Sequence, residues 1–179
     1  MITKKILYWY DYNKRSLPWR IRCSAKEKEY FTLLSEFMLQ QTQVKTVIPY
    51  FNNFLKNIPN LQSLARVSES KLLKNWQGLG YYSRARNLKK SAKIIIRNHN
   101  GRLPNNFEEL KKFPGVGDYT ASAISAIVFN QKIIPLDGNI ERVLKRILNL
   151  KTEEEIKKKT FINKKKFLAK PQDQMIMFK

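Results

Sequence analysis

Two acidic residues stand where acid–base chemistry is possible. Glu36 lies in the run Ser35-Glu36-Phe37-Met38-Leu39-Gln40-Gln41-Thr42-Gln43. On a helix through this run, Glu36, Gln40 and Gln43 fall at i, i+4 and i+7 and share one face. Leu33 and Phe37 sit beside them on the wheel. A carboxyl group there would be partly desolvated, its pKa raised, and suited to donating a proton. Periodicity alone favours the plainer reading of a surface glutamate on an amphipathic helix. Asp137, in Leu136-Asp137-Gly138-Asn139, stands just before a helix, where an aspartate caps free N–H groups. Capping and catalysis are compatible here. A capped carboxylate is held ionised and fixed, and a developing oxocarbenium ion needs such a charge beside it.

Two further segments have binding chemistry. Phe113-Pro114-Gly115-Val116-Gly117-Asp118-Tyr119-Thr120 lies between two short helices and reads as a helix-hairpin-helix. Gly115 and Gly117 let the backbone turn tightly and approach a ligand, and the following helix offers unpaired N–H groups to a phosphate. A plain helix–helix turn is the alternative. In the second segment, Trp76 to Arg86, a glycine turn presents Tyr81 and Tyr82 beside Arg84 and Arg86. These could stack bases and grip phosphates. Packed aromatics with exposed arginines are the competing reading.

The elements that must carry these residues are helical, and alternating strand-like runs are scarce. Helical spacing runs through 31–43, then 44–57, ending before Pro59. Ser68 caps a short helix through Trp76 that stops at the Gly78-Leu79-Gly80 turn. In 83–98, Ala85, Leu88, Ala92 and Ile95 form one apolar stripe with lysines on other faces. Helices follow at 107–112, 119–129 and 140–150, and Thr152 with Glu155 reads as a capping box opening a last one. The expected fold is all-α.

Composition limits the partners. Among 179 residues, 35 Lys and Arg face 14 Asp and Glu, a formal net charge of +21. Such self-repulsion is tolerable against a polyanion, of which nucleic acid is the commonest. With 42% hydrophobic residues there is enough for a core. A single cysteine, Cys23, allows no internal disulfide or multi-cysteine metal site, and it reads as an ordinary reduced thiol. The first 20 residues lack an apolar signal core, and the longest apolar stretch, 121–129, is too short to span a bilayer. A soluble, cytoplasmic, nucleoid-associated monomer is expected. The Lys-rich stretch 157–170 reads as a solvated helix face.

Taken together, five segments closely resemble the MutY family of adenine DNA glycosylases. They are Leu-Pro-Trp-Arg (17–20), Ser-Glu-Phe-Met-Leu-Gln-Gln-Thr-Gln-Val (35–44), Gly-Leu-Gly-Tyr-Tyr-Ser-Arg-Ala-Arg-Asn-Leu (78–88), Pro-Gly-Val-Gly-Asp-Tyr-Thr (114–120) and Leu-Asp-Gly-Asn (136–139). They occur in the family's order. The resemblance implies a helix-hairpin-helix glycosylase fold, with a six-helix domain over 20–131 and a second helical domain from 1–19 and 132–179. It implies double-stranded DNA as partner, with adenine opposite 8-oxoguanine or guanine flipped into a cleft. By motif position Glu36 would protonate adenine N7. Asp137 would stabilise the oxocarbenium ion, directly or through a covalent acetal. Tyr119 and Asn139 would support these carboxylates, and Trp19, Arg20 and Leu39 would line the adenine pocket. Gln41, Thr42, Leu79 and Tyr81 would probe the opposite base and wedge the duplex, while Gly115, Val116 and Gly117 would seat the backbone. Bifunctional relatives carry a lysine where this hairpin has Tyr119, so the resemblance implies a monofunctional enzyme that leaves an abasic site.

The sequence also departs from that family. Its members continue into four cysteines holding a [4Fe–4S] cluster and a domain that reads 8-oxoguanine, and neither is found here. The chain reads as a fragment or an early-terminated gene, with Gln174 near a position that contacts adenine. The loop 21–29 looks longer than usual, and Lys28-Glu29-Tyr30 replaces Asp-Pro-Tyr. Three other readings stay open. A relative acting on thymine or oxidised pyrimidines would spare adenine. A DNA-binding remnant would bind with steep salt dependence and excise nothing. A generic basic protein would bind all duplexes equally.

Overall fold

Short polar motifs start several helices in this chain. In the computed structural model, which describes residues 2–149 and Thr152, the Ser24 side chain accepts from the Glu27 N–H and the Glu27 carboxylate accepts from the Ser24 N–H. This capping box opens α2 (Ala25–Leu39). Asn60 and Ser63 cap α4 (Leu61–Arg66) in the same reciprocal way, Ser68 caps α5 (Glu69–Trp76), and Asn106 caps α7 (Phe107–Lys111). With α1 (Ile2–Asn13), α3 (Val44–Asn57), α6 (Ser83–Asn98), α8 (Asp118–Phe129) and α9 (Gly138–Leu148), the described residues are all-helical, as expected. A 3-10 turn covers Pro18–Arg20.

The chain divides into two compact units, one covering Ser16–Gly117 and the other combining Met1–Arg15 with the chain from Asp118 onward. In the first, α2 is the central element. Every residue from Glu29 to Met38 is buried. The 3-10 turn, α3 and α6 all pack on α2, while α4 and α5 pack on α6 and α5 also packs on α3. Phe51 of α3 meets Trp19 and Phe31 edge-on at 5.2 and 5.8 Å, and Phe54 meets Trp76 at 6.0 Å. Such edge contacts add to the apolar burial. The stripe Ala85, Leu88, Ala92 and Ile95 of α6 is fully buried, as its spacing predicts. Pro49 lies inside α3 on its exposed side.

Two polar ties fix the core. The Tyr30 hydroxyl donates to the Ile58 carbonyl at 2.6 Å, and burial pushes that phenol's pKa up. The Glu29 carboxylate, 2% exposed, accepts from Arg102 Nε at 2.8 Å and from the Leu103 N–H at 2.8 Å. The glutamate that looked like a local departure in 28–30 therefore has a structural task. It anchors the first half of α2 to the turn after α6.

In the other unit, α8 is buried from Thr120 to Ile127, and α9 packs Leu144 against Leu136 and Ile140. The α1 aromatics Tyr8 and Tyr12 stack at 4.8 Å and are exposed.

Several expectations change. The helix expected through Gln43 stops at Leu39: Gln40 leaves the helical region (φ −58°, ψ 113°) and Gln41 follows in a left-handed conformation (φ 55°). Gln40 and Gln43 therefore do not continue a helical face with Glu36. The apparent long loop 21–29 is helical from Ala25. α1 and α4 were not foreseen: α1 mixes charges with aromatics, and α4 is too short to show a period. The capping box at Thr152, the lysine run and Gln174 fall outside the described residues, apart from Thr152 itself.

Gly78 has φ 98°, and a Cβ there would lie 2.0 Å from the Tyr50 hydroxyl. Gly78→Ala is expected to destabilise the protein by about 2–4 kcal/mol, read as a lower midpoint in urea unfolding. An unchanged midpoint would show that the 76–82 turn can rearrange freely.

Candidate functional site

The end of α2 lacks a glycine cap, and its last carbonyls are closed by a side chain from elsewhere. Arg84, in the first turn of α6, is only 6% exposed. Its Nη1 shares two N–H bonds among the Phe37 carbonyl (3.3 Å), the Met38 carbonyl (2.9 Å), Thr42 Oγ1 (3.1 Å) and the Gln40 carbonyl. Its Nη2 donates to the carbonyls of Leu79 (3.1 Å) and Gly80 (3.3 Å). The guanidinium also lies 5.7 Å from the Trp76 ring and 5.4 Å from the Tyr81 ring. Burial pulls its pKa below the usual arginine range.

Of the two readings left open for this segment, a phosphate grip or packed aromatics with exposed arginines, neither describes Arg84. Arg84 is an internal clamp, and Arg86 bonds Glu69 at 2.7 Å, an ion pair that holds the Glu69 carboxyl below the usual carboxylate range. The tyrosines are outside instead, Tyr81 at 61% exposure and Tyr82 at 39%.

The hairpin turn docks at the same place. Val116 N–H bonds the Phe113 carbonyl at 3.0 Å around Pro114-Gly115, and Gly115 has φ 80°, the arrangement of a type II turn. Gly115 must be glycine on two counts. Its backbone is left-handed, and a Cβ would lie 2.9 Å from the Phe37 ring and 3.0 Å from Asn87 Cβ. Gln40 Nε2 donates to the Gly115 carbonyl at 3.1 Å, and Ser91 Oγ donates to the Pro114 carbonyl at 3.1 Å. Gly117 differs: a Cβ there would meet nothing within 4 Å. Gly115 thus serves internal packing, whereas Gly117 leaves space outside. Val116 between them is buried.

Within this unit, the segments of Gln41 and Thr42, of Leu79 and Tyr81, and of Gly115 all converge on the exit of α2. Gln41 is exposed, Thr42 half-buried, and Leu79 only 6% exposed, so Tyr81 is the more accessible member of its turn. Glu36 lies one helical turn back. It is 7% exposed between fully buried Leu33 and Phe37, which overturns the surface reading that periodicity favoured. Trp19 is 5% exposed and Arg20 half-buried, and their 3-10 turn packs on α2, which carries Glu36 and ends at half-buried Leu39.

The other unit carries the remaining candidates. Asp137 caps α9, its Oδ1 accepting from the Ile140 N–H at 2.7 Å. Asn139 is exposed and its Oδ1 accepts from Arg142 at 3.2 Å. Tyr119 lies in the first turn of α8 at 39% exposure.

Sequence reasoning singled out Arg84 but missed its clamping role, and it missed the Gln40–Gly115 bond. The available signal was negative: no glycine or asparagine follows Leu39, so the cap of α2 had to come from a distant donor. Among the described residues no group of His, Cys, Asp and Glu could hold a metal. The 179 residues contain one cysteine, so a four-cysteine cluster does not fit the donors present. Cys23 is half-buried and reduced, and burial followed by the nearby Glu27 carboxylate pushes its thiol up.

The chain is similar to known proteins in sequence and in fold. The chain is 48% identical over 146 residues to the adenine DNA glycosylase of Buchnera aphidicola subsp. Baizongia pistaciae, spanning 81% of this chain and 40% of that protein. It is 44% identical over 147 residues to the human adenine DNA glycosylase, spanning 79% of this chain and 27% of that one. The chain thus spans less than half the length of either relative. Among solved structures, a thermostable thymine-DNA glycosylase superposes with a TM-score of 0.81 at 23% identity, covering 98% of this chain and 81% of that one. A trapped endonuclease III–DNA covalent intermediate superposes with a TM-score of 0.75 at 21% identity, covering 97% and 78%. Those two likenesses carry the fold. Residues 34–167 match a family that takes in the α2 exit, the hairpin and the Asp137 cap alike, and the chain belongs to the HhH-GPD superfamily of base excision DNA repair proteins.

Proposed function

We propose that this chain is the catalytic scaffold of a monofunctional adenine DNA glycosylase acting on adenine opposite 8-oxoguanine or guanine. The observation that carries the reading is Glu36, a carboxyl group buried within the run that resembles the adenine enzymes, one turn before an exit lined by Gln41, Thr42 and Tyr81. The partition into a six-helix domain over 20–131 and a second domain from the two ends belongs to the same proposal.

The chemistry then follows. Adenine leaves poorly as an anion, so a proton at N7 must precede or accompany cleavage. Glu36 donates it from a site largely shielded from water. The C1′–N9 bond breaks, its electron pair leaves with the base, and water adds at C1′, giving its proton to the Glu36 carboxylate left by the first transfer. Asp137, fixed by the Ile140 N–H, supplies the negative charge that the oxocarbenium ion requires. Trp19, Arg20 and Leu39 line the adenine pocket, with Tyr119 and Asn139 supporting the carboxylates. The tyrosine at 119 cannot form the Schiff base through which a lysine would cleave the strand.

Binding draws on the +21 net charge and on the hairpin. The open side of Gly117 is where a phosphate backbone approaches.

Three outcomes test this reading. Glu36→Gln and Asp137→Asn are each expected to slow single-turnover excision by about 1,000-fold or more while duplex affinity stays within about threefold. Excision retained in both would remove these roles. Strand breaks should appear only after alkali, and breaks without it would mean a lyase. Gly117→Ala should weaken duplex binding by about fivefold with an unchanged thermal midpoint, because its Cβ meets only the incoming backbone. Undiminished affinity would place the backbone elsewhere.

A further inference from the structure

Gln41 and Tyr81 are the two positive-φ residues among those described that are neither glycine nor asparagine, at φ 55° and 46°. Bulky residues rarely enter that region, and they persist there only when their surroundings over-determine the backbone. Both lie in short turns, 39–43 and 78–82, far apart in sequence. Both are exposed, so neither conformation is enforced by the residue's own burial.

The same guanidinium holds both turns. Arg84 bonds the Gln40 carbonyl and Thr42 Oγ1, the two groups flanking Gln41. It bonds the Leu79 and Gly80 carbonyls immediately before Tyr81, and lies 5.4 Å from the Tyr81 ring. A planar fork can bind two turns at once. A lysine ammonium of the same charge is a point donor and cannot reproduce that geometry. Burying an arginine without a carboxylate partner is costly for stability alone.

We propose that Arg84 is the positioning residue of the duplex-facing surface: it locks the 39–43 and 78–82 turns together so that Gln41 and Tyr81 meet a mispair as one preset pair. The proposal rests on the reading that these two residues face the duplex. Arg84 touches no substrate. Its effect is on discrimination, because plain backbone binding depends on charge and on the hairpin, which is bonded directly by the Gln40 and Ser91 side chains and not by Arg84.

The test compares Arg84→Lys, Gln41→Ala and Tyr81→Ala in the full chain. Affinities are measured for a duplex with adenine opposite 8-oxoguanine and for the fully paired duplex, with 2-aminopurine beside the mispair reporting base unstacking. Arg84→Lys should lower the mispair-to-paired affinity ratio about tenfold and lose the unstacking signal, with paired-duplex affinity within about threefold. Adding Tyr81→Ala to Arg84→Lys should cost little more, since both remove one device. Equal loss on both duplexes, or losses that multiply, would overturn the proposal by making Arg84 a stability element only. A ratio unaltered by Gln41→Ala and by Tyr81→Ala would instead remove the duplex-facing reading itself. Should Arg84→Lys fail to fold, Thr42→Val removes one acceptor of the clamp, and about a threefold drop in the ratio is expected that does not multiply with the loss from Tyr81→Ala, whereas losses that multiply would overturn the clamp. No drop would count against the clamp.

Discussion

One buried guanidinium closes the end of the helix on which the rest of the site is built. A helix that stops inside a protein leaves carbonyls that must find donors. In α2 those carbonyls belong to Phe37, Met38 and Gln40, and Arg84 supplies the donors. Because the same group bonds the 79–80 backbone, the cap of one helix is also the latch of a neighbouring turn. The Pro114-Gly115 turn closes the third side through Gln40, and Gly115 fits only because it has no side chain to meet Phe37.

This arrangement accounts for how a carboxyl group can be kept inside the protein. Glu36 occupies a helix that is buried along ten successive residues and fixed at both ends, by Glu29 with Arg102 near the start and Arg84 at the exit. A helix so held cannot easily rotate to return the carboxyl group to water. The surface follows a different rule. Cations exceed acids by 35 to 14 over the chain, so most positive charges have no acidic partner and their repulsion is relieved by counterions or a polyanion.

Much of this was legible in the sequence. Stripes such as Ala85, Leu88, Ala92 and Ile95, caps such as Ser68 and Asp137, and the glycine turns each express a local rule, and their helices appear where spacing put them. What escaped was non-local. The helix through Glu36 ends early because Arg84, over forty residues away, captures its carbonyls, and no local pattern reports that. The burial of Glu36 was hidden for a related reason: a helix packed on all sides has no amphipathic stripe to read. Arg84 and Tyr81 exchanged the places that residue type suggests, the charge going inside and the ring outside.

The central claim is that this scaffold removes adenine from a mispair. The most direct measurement is chromatographic identification of the free base released when the protein is in excess over a duplex. One duplex would carry adenine opposite 8-oxoguanine, and a second would carry thymine opposite guanine. The account predicts free adenine from the first and no base from the second. Thymine released from the second, with adenine left in place in the first, would contradict it and assign the buried Glu36 to a different base.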